Sequence, residues 1–297
     1  MATSPVVDYA RAQRDAIVAN DRAVRRDDAD AVHDMRVAIR RLRSTLRTFR
    51  PLWDRRKADR VRAELKWLAD RLGPVRDGEV MLERLMETVR AEPPELVVGP
   101  VARRIRHRLS NERGQARERL LEALDSRRYR ALLVALNALV DAPANGVKAS
   151  KLRRRAARSV RRADAALDSA LADGHNGGRN GGRNGGRNDA ALHEARKDYK
   201  RARYAAEALA PVAGKPAKRL AKRLAGLQDV LGTHQDTVVT ADLLRSYGIR
   251  ADSDGDSAFT YGLLHARQHE AGERALRELP TAVRASRRRK VRRWLPR

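Results

Sequence analysis

The sequence carries one pattern twice, in register. HDMRVAIRRLRSTLRTF, residues 33–49, aligns without a gap with HEARKDYKRARYAAEAL, residues 193–209. His193 falls on His33, Arg196 on Arg36, Lys200 on Arg40, Arg201 on Arg41 and Arg203 on Arg43. A second landmark follows each copy, LGPVRD at 72–77 and LGTHQD at 231–236. Gly73 comes 40 residues after His33, and Gly232 comes 39 residues after His193. Two landmarks held at nearly one spacing imply duplication of a structural unit. The chain is therefore restricted to architectures built from two like halves.

Each copy reads as an amphipathic helix. At about 100° per residue, Met35, Ala38, Ile39, Leu42, Leu46 and Phe49 share an arc of roughly 100° that suits a core. His33, Arg36, Arg40, Arg43 and Arg47 occupy a second arc about 80° wide, and Arg41 lies nearer the apolar border. At about 1.5 Å per residue the cation line is about 21 Å long, far more than one phosphate needs. Like charges at this spacing repel on a helix, and Asp34 is the one acid among them. Arginine forks match phosphate oxygens in pairs. A ligand stripe explains the pattern, and so does a solvated face.

In the second copy Ala195, Tyr199, Ala202, Ala206 and Leu209 form the apolar arc. His193, Arg196, Lys200 and Arg203 form the cation line. Glu207 stands where Arg47 does in the first copy, so this line is shorter or locally self-paired. The stretch leading to Gly232 places Lys215, Lys218, Arg219, Lys222 and Arg223 away from Leu220, Leu224, Leu227 and Leu231, a second candidate basic wall. In each half the glycine is expected to end a long helix, with Asp77 or Asp236 starting or lining the next element.

Hydrophobic residues make up 42% of the chain, supplied mainly by Ala, Leu and Val, while aromatics are only 4%. Such a core suits helices better than strands. The expectation is an all-α chain of two helical bundles of four-helix type. Residues 1–173 would form one half, the Gly-rich stretch 174–189 a flexible linker, and residues 190–297 the other half with a basic tail. Arg154, Arg155, Arg158, Arg161 and Arg162 form a further cluster, as do Arg103, Arg104, Arg106, His107 and Arg108; either could line a groove, and a solvated face is the simpler reading of both. Trp294, in the tail, is expected to pack back on a helix rather than stack on a base.

The net charge is +27, from 65 Lys and Arg against 38 Asp and Glu. That excess repels itself unless counterions or a polyanion neutralise it. With no cysteine, disulfides, thiolate metal sites and cysteine nucleophiles are excluded. No apolar run approaches the roughly 20 residues of a membrane span. The start of the chain lacks the marks of a signal peptide, so a cytoplasmic protein is expected.

Catalytic motifs are missing. There is no phosphate-binding loop ending in Lys-Ser or Lys-Thr and no nucleophile elbow. His265 and His269 precede Glu270 without the zincin order. The acidic stretch at 250–259 lacks the closing glutamate of a calcium loop. Neither an enzyme, a metal nor a cofactor is expected.

The duplicated His-x-x-Arg helices, each with its following Arg or Lys pair, and the Leu-Gly…Asp segments in the expected halves closely resemble the CHAD family, the conserved histidine α-helical domains. The resemblance covers the chain apart from the Gly-rich insert. It implies a single CHAD-like unit of two four-helix bundles about a pseudo-twofold axis, with a basic groove that binds inorganic polyphosphate. Phosphate or sulfate ions would fit the same site. Some members of the family are fused to a triphosphatase-like domain, and some associate with polyphosphate granules; this chain reads as the binding module alone. By position, the implied ligand set is His33, Arg36, Arg40, Arg41 and Arg43 with His193, Arg196, Lys200, Arg201 and Arg203, and Lys197 in reserve. Glu207 in Arg47's place and Gln235 in Arg76's place make the second half an imperfect copy.

The rival partner is nucleic acid, which the gross charge fits equally well. Against it, the cation lines lack Asn or Gln for base reading, and aromatics for stacking are few. The oligomeric state is open.

Overall fold

A computed structural model describes residues 4–141, 146–176 and 185–296, and among them every regular element is helical. The first half contains α1 (Pro5–Arg26), α2 (Ala31–Thr48), α3 (Arg55–Arg90), α4 (Val101–Asp125) and α5 (Arg127–Asp141). The second contains α6 (Ala149–Asn176), α7 (Gly185–Ala213), α8 (Lys215–Ser253), α9 (Phe259–Arg287) and the single turn α10 (Arg289–Arg292). Helices α2 and α7 carry the repeated cation pattern, and α3 and α8 carry the Leu-Gly…Asp landmark. The all-α, duplicated bundle expected from the sequence is the fold observed.

Helix α6 packs along α7 through Val160, Ala163 and Leu167 against Leu192, Ala195 and Tyr199, while its Leu152 and Ala156 belong to the first apolar cluster. Residues 177–184, the centre of the expected Gly-rich linker, lie outside the described residues.

The long helices differ from the expectation. Neither Gly73 nor Gly232 ends a helix, because α3 continues to Arg90 and α8 to Ser253. Pro74 removes one ladder donor inside α3, and the Gly73 carbonyl takes a hydrogen bond from Arg36 Nη1 at 2.9 Å. Burial of Leu65, Leu68, Leu72 and Val75 on one side of this segment outweighs the local helix-breaking tendency. Leu-Gly-Pro looks like a stop only when tertiary packing is left out.

Three apolar clusters hold the fold. The first buries Met35, Ile39, Leu42, Leu46 and Phe49 of the α2 region against α1, α3 and α5, and it takes in Leu152 and Ala156 of α6 and Ala205, Ala208 and Leu209 of α7. The second lies within α6–α10. The third joins the far ends of α3 and α4, through Leu85 and Ile105, to Leu244 of α8 and Leu264 of α9. Truncating one such leucine, for example Leu42→Ala, costs about 2–5 kcal/mol. Trp294 packs on both the first and second clusters.

The start of α2 is fixed by its neighbours. Asp27 and Asp30 turn the chain with φ of 62° and 61°, a conformation that Asp tolerates better than most residues. Arg113 donates to both oxygens of Asp27 at 2.9 Å, and Arg117 donates to Asp27 and to the Arg25 carbonyl that ends α1. Two arginines of α4 thus spend their charge on a turn, and that turn sets where His33 stands.

Candidate functional site

Helices α2 and α7 lie side by side, so the two cation lines meet. His33, Arg36, Arg40 and Arg43 on α2 are half-buried and Arg47 is exposed. On α7, His193, Arg196, Lys200, Arg201 and Arg203 are half-buried and Lys197 is exposed. The Lys200 ammonium is close enough to Arg40 of the other half, and to Arg196 and Arg203 of its own, to be disfavoured by all three. Burial is the larger cause, and together they push its pKa down to about 7. Arg201 likewise feels Arg47 across the junction.

Among the described residues, Arg40, Arg43, Arg47, Arg196 and Lys200 form no ion pair. The Nε atoms of Arg40 and Arg196 are buried without a hydrogen-bond partner. The Nε of Arg287 likewise lacks a hydrogen-bond partner, so what sets Arg40 and Arg196 apart is the missing carboxylate. Arginines that brace the fold have one. Arg292 pairs with Asp164, and Arg287 with Asp164 at 3.4 Å and Asp168 at 2.8 Å.

Other members of the expected set have carboxylate partners. Arg36 Nη1 lies 2.8 Å from Asp77 Oδ1, which holds the guanidinium against the Gly73 carbonyl. Arg41 and Arg203 share Glu207 at 3.3 and 3.2 Å, and the Tyr9 hydroxyl donates to the same carboxylate at 2.7 Å. Arg201 pairs with buried Asp198, and Lys197 with exposed Glu194 at 2.6 Å. Glu207 therefore neutralises part of the line, as self-pairing at that position predicted, but it does so across both halves. Asp236 differs from its counterpart Asp77, because it pairs with Arg84 of the first half at 2.9 Å.

The histidines sit at equivalent places beside α3 and α8. Burial, then Arg76 and Arg40, lower the pKa of His33. Burial, then Lys197, lower that of His193, against a hydrogen bond to the Gln235 side chain that works the other way. Position 76 in one half and 235 in the other thus determine what each imidazole faces.

Two clefts border the cation lines, one within the first half between α2 and α3 and one at the junction. One, of about 390 Å3, is lined by Arg36, Arg40 and Arg43 with Gly73, Pro74 and Asp77. The other, of about 310 Å3, brings Arg47 and Arg201 together with Arg155, Arg158 and Arg162 of α6. Three of the α6 arginines line this cleft, with Arg158 and Arg162 exposed and Arg162 paired with Asp198 at 3.1 Å. Their spacing of three and four residues was the available signal, but only the placement of α6 beside α7 gives it meaning. Lys215, Lys218, Arg219, Lys222 and Arg223 are exposed on α8 and line neither cleft. The cluster at Arg103, Arg104 and Arg108 lines a different cavity, far along α4.

No group of three or more His, Cys, Asp or Glu side chains able to hold a metal ion occurs among the described residues. No helix there is long and apolar enough to cross a membrane. Asp254 and Asp256, in the acidic stretch, pair with Arg104.

The fold and site together define a class of duplicated helical bundle whose two halves present cations to one another. Within it, the family model of the CHAD domain matches residues 8–245, and the chain belongs to that family. It is 37% identical over 278 residues to the uncharacterized protein Rv2226 of Mycobacterium tuberculosis, an alignment covering 90% of this chain and 51% of the relative. A second uncharacterized M. tuberculosis protein, MT2285, is 36% identical over the same length. The chain spans about half the length of these curated relatives. Among solved structures it is similar to PptA from Streptomyces chartreusis, with a TM-score of 0.77 and 25% identity over 94% of this chain and 98% of that one. The CHAD domain from the plant Ricinus communis shares the fold, with a TM-score of 0.56 and 24% identity over 98% and 90% of the two chains.

Proposed function

We propose that the junction of α2 and α7 binds inorganic polyphosphate without turning it over. The observation that supports this most directly is the set of cations left without carboxylates where the halves meet, with buried guanidinium nitrogens of Arg40 and Arg196 unsatisfied. A chain of phosphates offers non-bridging oxygens at every unit, so successive arginine forks can each take one while condensed counterions leave. Arg36, Arg40, Arg43, Arg196, Lys200 and Arg203 are the proposed core of the site. Arg41, Arg47, Lys197 and Arg201 flank it, and His33 and His193 face it from the α3 and α8 sides. The Lys215–Arg223 cations are proposed as an outer basic wall. In the cell the module would act in the cytoplasm, on polyphosphate granules.

The test is a titration of labelled long-chain polyphosphate at physiological salt, challenged with duplex DNA and single-stranded RNA at equal phosphate concentration. Failure of the nucleic acids to displace the label is the expected result. Displacement as ready as by unlabelled polyphosphate, or affinity unchanged in Arg40→Ala with Lys200→Ala, overturns the reading.

A further inference from the structure

A cavity of about 600 Å3 lies between α4 and the far end of α8, and it shares no lining residue with the two clefts beside α2. Its size is within the usual range of about 300–1,000 Å3 for small-molecule sites. Its wall is aromatic. Tyr247 and Tyr261 are 6% and 4% exposed and pack edge to face, with ring centroids 6.4 Å apart and planes at 85°. The Arg108 guanidinium carbon stands 4.9 Å from the Tyr247 ring centroid, so a flat cation already lies against that wall.

The polar groups divide in two. Arg108 Nε is 3.4 Å from Glu112, and Arg104 is held by Asp254 and Asp256. Arg103 and Arg250, both exposed, form no ion pair among the described residues. The Tyr247 hydroxyl is buried and has no hydrogen-bond partner, a state that is costly unless something relieves it. An aromatic wall, two unpaired guanidinium groups at the mouth and an unsatisfied buried phenol occur in one cavity.

We propose that this cavity binds a small organic anion carrying a flat ring. The ring would lie along the Arg108–Tyr247 wall, where stacking and cation–π attraction favour it. The anionic group would reach Arg103 and Arg250, and a polar ring atom would satisfy the Tyr247 hydroxyl. Bare phosphate uses only the mouth, and an uncharged ring uses only the wall. A nucleoside monophosphate and an aromatic carboxylate both have the required chemistry. The occupant would touch α4 of the first half and α8 of the second beside the apolar cluster that joins them.

The experiment is calorimetry on the full chain with adenosine monophosphate, salicylate, adenosine and inorganic phosphate, repeated on Tyr247→Phe and on Arg103→Ala with Arg250→Ala. The expected result is that adenosine monophosphate or salicylate binds at least about tenfold tighter than adenosine and phosphate. Which of the two does so identifies the source of the anion. The double variant, whose changes are exposed and leave the fold intact, should lose about tenfold, and Tyr247→Phe about threefold. Ring-bearing anions that bind no tighter than phosphate overturn the proposal. So does binding that survives the double variant but is lost in Arg36→Ala with Arg40→Ala, which would put the anion at the α2–α7 junction.

Discussion

A methyl group on Gly232 would stand 2.8 Å from Nη2 of Arg196. The Arg196 guanidinium lies on the bare backbone of α8, and glycine is the residue that lets it approach. This explains the glycine of the second landmark, inside a helix where it otherwise costs about 0.5–1 kcal/mol relative to alanine. Gly232→Ala should therefore leave the helix intact or slightly stabilised, because the group displaced is the tip of a flexible side chain. Polyphosphate affinity should fall roughly tenfold as Arg196 loses its seat. Thermal denaturation and the binding titration, run together, check both halves of this prediction.

Lys200 should make binding depend on pH. Its pKa in the empty protein is about 7 against an ordinary 10.5, because burial and three cations disfavour the charge. A polyanion reverses the electrostatic part and raises the pKa, so the complex takes up a proton. Affinity is then greatest below pH 7 and falls as pH rises above it. The lowered His33 and His193 pKa values add a further gain in affinity on the acid side. Titrations from pH 6 to 9 that show no loss of affinity on the alkaline side would count against Lys200 touching the ligand.

The same lysine affects folding with a definite sign. Its folded pKa is depressed, so between about 7 and 10.5 the unfolded chain binds more protons. Stability of the empty protein should rise with pH across that window and show the full penalty below it. Lys200→Met should stabilise the empty protein by on the order of 1–4 kcal/mol at neutral pH while weakening polyphosphate binding. Chemical denaturation at two pH values measures this.

Glu207 holds Arg41, Arg203 and the Tyr9 hydroxyl at once. Glu207→Gln keeps an acceptor for Tyr9 and releases two guanidinium groups. Polyphosphate affinity at low salt should rise severalfold with a steeper salt dependence, at a stability loss of about 1 kcal/mol. A salt titration of variant against wild type gives both quantities.

The α6 arginines should discriminate by length. Arg155, Arg158 and Arg162 line the cleft beyond Arg47 and Arg201. Replacing all three with Gln should weaken long-chain polyphosphate far more than tripolyphosphate, which the α2–α7 junction alone can hold. Equal losses for both ligands would mean that the cleft is not an extension of the site.

The duplication, the all-α class and the two cation lines were legible because each is a local or periodic property of the chain. That the lines face one another was legible only through the resemblance. The sequence reading failed where a long-range neighbour decides the outcome. Leu-Gly-Pro reads as a helix stop until the burial of Leu72 and Val75 is known. That Arg158 and Arg162 share a cleft with Arg47 and Arg201 follows only once α6 is placed beside α7. Asp77 and Asp236 occupy equivalent positions and hold arginines from different places, Arg36 and Arg84, which no spacing rule distinguishes.

The two halves are tied together along apolar seams, one through α6 and α7 and one through the ends of α3, α4, α8 and α9. Between them lie surfaces that push each other apart. The empty protein is thus under internal electrostatic pressure, contained by its hydrophobic clasps. Dissolved salt vents that pressure and firms the fold, while it weakens the pull on a polyanion. On the proposed function, the conditions that make the molecule sturdiest would be those in which it grips least, and a bound phosphate chain would remove that conflict by supplying countercharge from within.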